Sequence, residues 1–284
     1  MLDCSVDNYA DDTTLSATGN SLNEIEESLG RNCQYVSVWM QENRLKLNSS
    51  KTHILTVGTA QKIRSVGAGV HVTLEGTVLE ENGSHSEKAL GCILSSDLKW
   101  KGQYDYIIEK LKKRLLGLRN LGQIAPSYVK KQIADGLFTS ILAYCLPLFG
   151  GTEDSNIRAV QVMQNKAAQI VSQLPPRSNR NKLYDHTGWM TVRQMVVYYT
   201  LLTVFNIQQS GEPEYLARKI NNETRNRRLQ LPQFKIQLAQ RSFTYRGINL
   251  WNMLPANIRQ VNKMNQFKKL IKKWILSNVS RFED

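Results

Sequence analysis

The chain has 284 residues, enough for one large or two ordinary domains, and 41% of them are hydrophobic, enough to build a core. Residues 1–100 hold eight basic against thirteen acidic residues, a balance of −5, whereas residues 101–284 hold 29 against 11, a balance of +18. That composition excludes a disordered tail and points to a globular protein whose second part presents positive potential to a polyanion, with nucleic acid the favoured partner.

Other classes fall away on local grounds. No segment approaches about 18 uninterrupted apolar residues, and the nearest, Gly136 to Gly151, is interrupted by Pro147, so no membrane partner is expected. The start, "MLDCSVDN", is acidic and lacks the basic flank and apolar centre of a signal peptide, which places the protein inside the cell, in nucleus and cytoplasm if functional. Cys4, Cys33, Cys92 and Cys145 are widely spaced, and His53, His71, His85 and His186 have no ligand partner at a useful spacing, so zinc and a disulfide framework are not expected.

In chain order, the first feature is "CSVDNYADDTTLSA", residues 4–17, which reads as a hairpin carrying two adjacent carboxylates, Asp11 and Asp12, at its apex. Like charges side by side need either full solvent or a cation, so the pair reads as a solvated turn or as oxygen donors to a hard divalent ion. A helix follows: Ser21 and Glu24 form a capping box, and Leu22, Ile25, Leu29, Cys33, Val36 and Met40 recur at helical spacing. A turn at Asn48 to Ser50 then leads to a strand from about Lys51 to Val57, a hairpin around Gly76, and a further strand in "ALGCILSSDLKW". Strands crossed by one helix give the first hundred residues an α+β pattern.

Helices dominate from Gln103 onward. Tyr104, Ile107, Ile108, Leu111, Leu115 and Leu118 form one stripe, with Lys110, Lys112, Lys113, Arg114 and Arg119 beside or opposite it. Pro126 opens a second helix with Val129, Ile133, Leu137, Ile141 and Cys145 as its buried stripe, and a third runs from about Asn156 to Leu174. "LPPRSNRNK" reads as a basic loop, and "TVRQMVVYYTLLTVFNIQQSG" as a helix apolar all round that ends near Gly211 and is buried between others. "NNETRNRRLQLPQFKIQ" is a basic connection without periodicity, and "MNQFKKLIKKWIL" a terminal helix with paired lysines. Trp39, Trp100, Trp189, Trp251 and Trp274 could stack bases, but most read as core.

The ordered strings "YADDTT", "VWMQENRLKLNSSKT", "LGCILSSDLKW", "VQVMQNKAAQIV", "TGWMTVRQ", "PEYL" and "RGINLWNMLPANIR" resemble the downstream half of reverse transcriptases from non-LTR retrotransposons. The resemblance implies a partial polymerase palm, an antiparallel sheet with a helix, over residues 1–100. Thumb-like helices would follow over 101–150 and a basic helical region over 151–284. It implies an RNA-directed DNA polymerase, a nucleotidyltransferase acting on an RNA template and DNA primer duplex. Asp11 would be the principal ligand and Asp12 the companion ligand of Mg²⁺ or Mn²⁺. Tyr9 and Ala10 would lie beside the primer terminus, and Lys51, which otherwise reads as a solvated lysine, would protonate the leaving group. Leu90 and Gly91 would open the strand that grips the primer, and Lys110, Lys112, Lys113 and Arg114 would track the duplex through its phosphates.

The mechanism that the resemblance implies needs a third carboxylate from an earlier palm strand and fingers to hold the nucleotide. Met1 stands only eight residues before Tyr9. The chain therefore reads as a truncated copy, a decayed copy or an incomplete gene, inactive alone and holding its metal weakly. The alternative is a non-catalytic nucleic-acid-binding relic or domesticated module. A metal-dependent hydrolase would need further carboxylates or histidines around Asp11, and the sequence offers no such set.

Overall fold

The structure, a computed structural model, describes residues 4–66, 69–79, 85–121, 124–220, 223–224, 227–234 and 236–278. Part of the basic connection, residues 221–222, 225–226 and 235, lies outside them. The fold is α+β, small antiparallel ribbons followed by helices, in two compact units, Met1–Gly102 and Gln103–Asp284.

In the first unit, β1 (Ser5–Tyr9) and β2 (Asp12–Ser16) pair antiparallel with Tyr9 opposite Asp12. Period-2 alternation puts Val6 and Leu15 on one face, where both are half-buried, and Asp7, Tyr9, Asp12 and Thr14 on the exposed other face. Helix α1 (Leu22–Glu42) begins at Ser21, whose hydroxyl accepts from the Glu24 N–H at 3.3 Å. The expected capping box is displaced by one residue: the Glu24 carboxylate accepts from the N–H of Asn20, at 2.9 Å, and not from that of Ser21. The apolar stripe of α1 is half-buried throughout, packed on β2 and β3.

The strand expected from Lys51 to Val57 does not form. A 3₁₀ turn spans Ser49–Lys51, and of residues 51–57 Ile54 alone takes part in an isolated bridge. The reason is Asn48, whose carbonyl accepts from Lys51 N at 3.0 Å and Thr52 Oγ1 at 3.0 Å while its side chain accepts from Ser50 Oγ at 2.6 Å. Local bonds of this kind compete with a strand ladder. Helix α2 (Ala60–Val66) follows, then two hairpins, β3 (Val72–Leu74) with β4 (Thr77–Leu79) and β5 (Ser86–Ala89) with β6 (Cys92–Ser95). Each turns through two residues of positive φ, Glu75 and Gly76 at 49° and 78°, Leu90 and Gly91 at 46° and 79°, the geometry that matches strand twist. Among the described residues every sheet has two strands.

Helix α3 (Lys101–Asn120) starts at the boundary between the units and buries Tyr104, Ile107, Leu111, Leu115 and Leu118, nearly the stripe read from the sequence. Tyr104 meets Phe149 edge to face, ring centroids 5.4 Å apart. The next run is α4 (Ser127–Ala134), a wider π turn over Asp135–Thr139, α5 (Ser140–Ala143) and α6 (Leu146–Phe149). Here the buried row is Lys130, Ala134, Phe138, Leu142 and Leu146, one residue on from the expected stripe, and Leu137 is exposed. The displacement is already present at Lys130 and Ala134, before the π turn, and the row keeps its four-residue spacing through it.

Of the helical row Ile157, Val160, Met163, Ala167 and Val171, helix α7 (Asp154–Ser172) buries all but Met163, which is half-buried. The basic loop is shorter than its sequence suggests, because Asn179 caps α8 (Arg180–Thr187). Helix α9 (Val192–Ser210) opens with a Thr191–Gln194 capping box and ends at Gly211, φ 72°, and it is the centre on which α6, α7, α10 (Glu214–Ile220), α12 (Phe243–Met253) and α14 (Met264–Ser277) pack. Between them lie β7 (Glu223–Thr224) paired with β8 (Arg228–Leu229), α11 (Gln237–Gln240) and α13 (Ala256–Arg259). Phe205 of α9 stacks on Phe267 of α14 at 4.2 Å, and Trp251 of α12 closes over Phe267 at 5.7 Å.

Candidate catalytic hairpin and nucleic-acid interface

Asp11 lies in the two-residue turn of the first hairpin and Asp12 is the first residue of β2. Ala10 takes φ 53°, a left-handed conformation that costs an L-residue roughly 1–2 kcal/mol. The turn thereby puts the two carboxylates at the tip of the ribbon with Tyr9 beside Asp12, 66% exposed. Both carboxylates are exposed, and among the described residues neither forms a hydrogen bond or ion pair. Their chemistry suits a hard cation such as Mg²⁺, with water left to fill most of its shell. Among the described residues no group of three or more His, Cys, Asp or Glu is placed to hold a metal ion.

Lys51 ends the 3₁₀ turn, exposed, and no hydrogen bond or ion pair joins it to Asp11 or Asp12. Leu90 and Gly91 form the β5–β6 turn, so only residues 92–94 of "LGCIL" are strand. Leu90 is 53% exposed.

The cationic face of α3 is solvent-facing as the stripe requires. Lys110, Lys112, Lys113, Arg114 and Arg119 are all exposed. Lys110 Nζ sits 4.3 Å from the Tyr106 ring centroid, which steadies the ammonium over an aromatic face, and Lys112 pairs with Glu109 at 2.6 Å. Lys113 and Arg114 make no ion pair among the described residues.

The other motifs build the helical unit. In "VQVMQNKAAQIV", Gln161 donates to the Tyr184 hydroxyl and accepts from Val192 N at 2.8 Å, while Gln164 donates to the Met190 carbonyl at 2.9 Å. These amides tie α7 to α8 and to the start of α9. In "TGWMTVRQ", Trp189 Nε1 donates to Asp135 Oδ1 at 2.7 Å. In "RGINLWNMLPANIR", Asn252 pairs with the backbone of Leu229 at 2.9 and 2.8 Å, and Arg259 Nε donates to the Leu254 carbonyl at 3.1 Å. Arg246 reaches Pro147 O at 2.5 Å, and burial brings its guanidinium down to about 10. A Cβ on Gly150 would stand 2.8 Å from Arg246 Nη1, and one on Gly151 2.2 Å from the Arg241 carbonyl, so the two glycines make the close approach possible. Trp189, Trp251 and Trp274 are buried, as expected of core, whereas Trp39 is 54% exposed.

Among the described residues no helix is long and apolar enough to cross a membrane. No family model and no solved structure matches the chain. The chain is similar to the "Probable RNA-directed DNA polymerase from transposon BS" of Drosophila melanogaster, 24% identical over 235 residues that cover 82% of this chain and 25% of that protein. The chain thus spans about a quarter of the length of the curated relative it matches. This similarity supports a relationship to transposon reverse transcriptases.

Proposed function

We propose that these 284 residues correspond to the palm tip, thumb and following helical region of a non-LTR retrotransposon reverse transcriptase. The observation that carries the reading is the Tyr9–Asp12 hairpin, standing at the head of an ordered series of motifs in a chain similar over 82% of its length to a transposon RNA-directed DNA polymerase. Asp11 and Asp12 would hold Mg²⁺ or Mn²⁺, and α3 would hold a primer–template duplex by its phosphates. A bound divalent ion supplies neutralisation of the developing phosphate charge. Tyr9, beside Asp12, would support the primer end, and Lys51 would serve as proton donor to the leaving group.

By themselves these residues do not polymerise DNA. Two carboxylates at an exposed tip leave most of a cation's positions to water, and a two-metal displacement needs bridging ligands that hold the ions about 3.5–4 Å apart. The purified chain, given a primed RNA template, dNTPs and Mg²⁺ or Mn²⁺, is expected to extend nothing above background. Templated extension that disappears in Asp11→Ala would overturn the inactivity and establish the catalytic reading. The concentration of positive charge in residues 101–284 favours a second reading, a nucleic-acid-binding module in which the acidic pair has no catalytic use.

A further inference from the structure

The positive charge is concentrated more tightly than a division at residue 100 suggests. Residues 225–282 contain thirteen Lys and Arg and no Asp or Glu, whereas the remaining residues hold 24 of each and sum to zero. The whole formal charge of +13 therefore belongs to this one segment.

The structure decides where that charge points. Helix α14 buries Phe267, Ile271, Trp274 and Ile275, which leaves Lys268, Lys269, Lys272 and Lys273 together on the exposed side. They form two rows, 268 with 272 and 269 with 273, each pair one turn or about 6 Å apart along the axis. None of them is in an ion pair among the described residues. At the start of the helix Lys263 is exposed, and Arg227 is brought alongside by donating to Asn262 Oδ1 at 2.9 Å. Arg227 is itself held by Trp251 Nε1, which donates to its carbonyl at 2.8 Å. Arg228 follows, exposed, and loss of solvent and then the neighbouring Arg228 charge keep the Arg259 guanidinium below its usual value.

We propose that the exposed face of α14, with Arg227, Arg228 and Lys263 at its head, grips the phosphate backbone of a nucleic acid. This deepens the nucleic-acid reading above and rests on it. A membrane surface fits less well, because an interfacial helix needs its apolar face for the lipid and that of α14 is consumed in the core against α9. A protein partner fits less well too: lysine is depleted at protein interfaces, and the face offers no aromatic anchor, only Leu276 among its lysines. Point charges without a carboxylate to neutralise them suit sequence-independent phosphate contact.

The experiment measures fluorescence anisotropy of a labelled RNA–DNA duplex of roughly 20 base pairs with the full chain, from about 50 to 200 mM salt. In one variant Lys268, Lys269, Lys272 and Lys273 become Gln; in a second, Lys110, Lys112, Lys113 and Arg114 of α3 become Gln. All changed side chains are exposed, and melting curves check that both variants fold. The α14 variant is expected to bind at least about tenfold more weakly, with the log–log salt slope reduced by up to about 0.9 per lost contact. Undiminished affinity and slope in the α14 variant, with loss confined to the α3 variant, would overturn this inference and leave the nucleic-acid reading standing. Absence of duplex binding by the unaltered chain would overturn both. Tight binding to equimolar phosphatidylserine–phosphatidylcholine vesicles without duplex binding would assign the face to a membrane instead.

Discussion

Asp11 and Asp12 owe their position to Ala10, because one left-handed residue turns the chain within two positions and leaves both carboxylates in solvent. Exposure decides what they can do. Solvated carboxylates bind a divalent ion weakly, since each must give up water and two donors supply a minority of its ligands. Mn²⁺ titrated into isotopically labelled protein is expected to broaden NMR signals of residues 9–14 first, at millimolar rather than micromolar concentration on the order of extracellular-type sites, and Asp11→Asn to abolish the effect. Broadening centred elsewhere, or insensitive to Asp11→Asn, would make this an ordinary turn. The pair was legible in the sequence because adjacent like charges in a turn-forming string are a local signal. Its lack of any partner among the described residues was not, since partners come from elsewhere in the fold.

At the scale of elements, polar side chains of α7 and α8 act as fasteners between helices. Tyr184 on α8 is the hub: it receives Gln161 and lies 2.9 Å from Gln164 Oε1 and 2.8 Å from Asn165 Oδ1 on α7. Tyr184→Phe leaves buried amides short of a partner and is expected to destabilise the fold by about 1–3 kcal/mol in chemical denaturation. Burial also holds this phenol above its ordinary value of 10.0, so its proton is retained on folding. The contribution is complete below that pH and is lost as pH rises past it, because the unfolded chain then releases a proton that the folded chain keeps. Above about pH 10 the melting temperature is expected to fall, less steeply in Tyr184→Phe than in the parent; equal slopes would remove Tyr184 as a cause. Nothing in the spacing of Gln161, Gln164 and Asn165 foretells this, because a helical face reads the same whether its amides meet water or a buried hydroxyl.

Across the whole chain, burial is uneven. In the first unit α1 fully buries only Asn32 and Ser37, and the tip of the first ribbon is open, whereas in the second α9, α12 and α14 share a core of fully buried aromatics and aliphatics. Local opening is governed by buried apolar contact, so amide hydrogen exchange is expected to be slowest in α9 and the facing turns of α12 and α14, and fastest in β1 and β2. Protection of the first ribbon equal to that of α9 would contradict this account of where stability resides.

Amphipathic spacing, caps and charge balance are properties of neighbours along the chain. They determined α1, α3, α7, α9 and α14, the Gly76 hairpin, the α+β class and the acid-free segment from residue 225 to 282. The sequence also marks the lysines of α14 as one side of a helix. Only the packing of the other side on α9 decides that those charges, and not the apolar residues, are presented. The tertiary structure likewise decided which row of α4 to α6 is buried, one residue on from the one that spacing suggests, whereas the strand after Asn48 is lost to local hydrogen bonds that outcompete a ladder. The first depends on which neighbour a side chain meets across the fold, a non-local quantity, and the second on which local bonds the backbone forms; periodicity encodes neither.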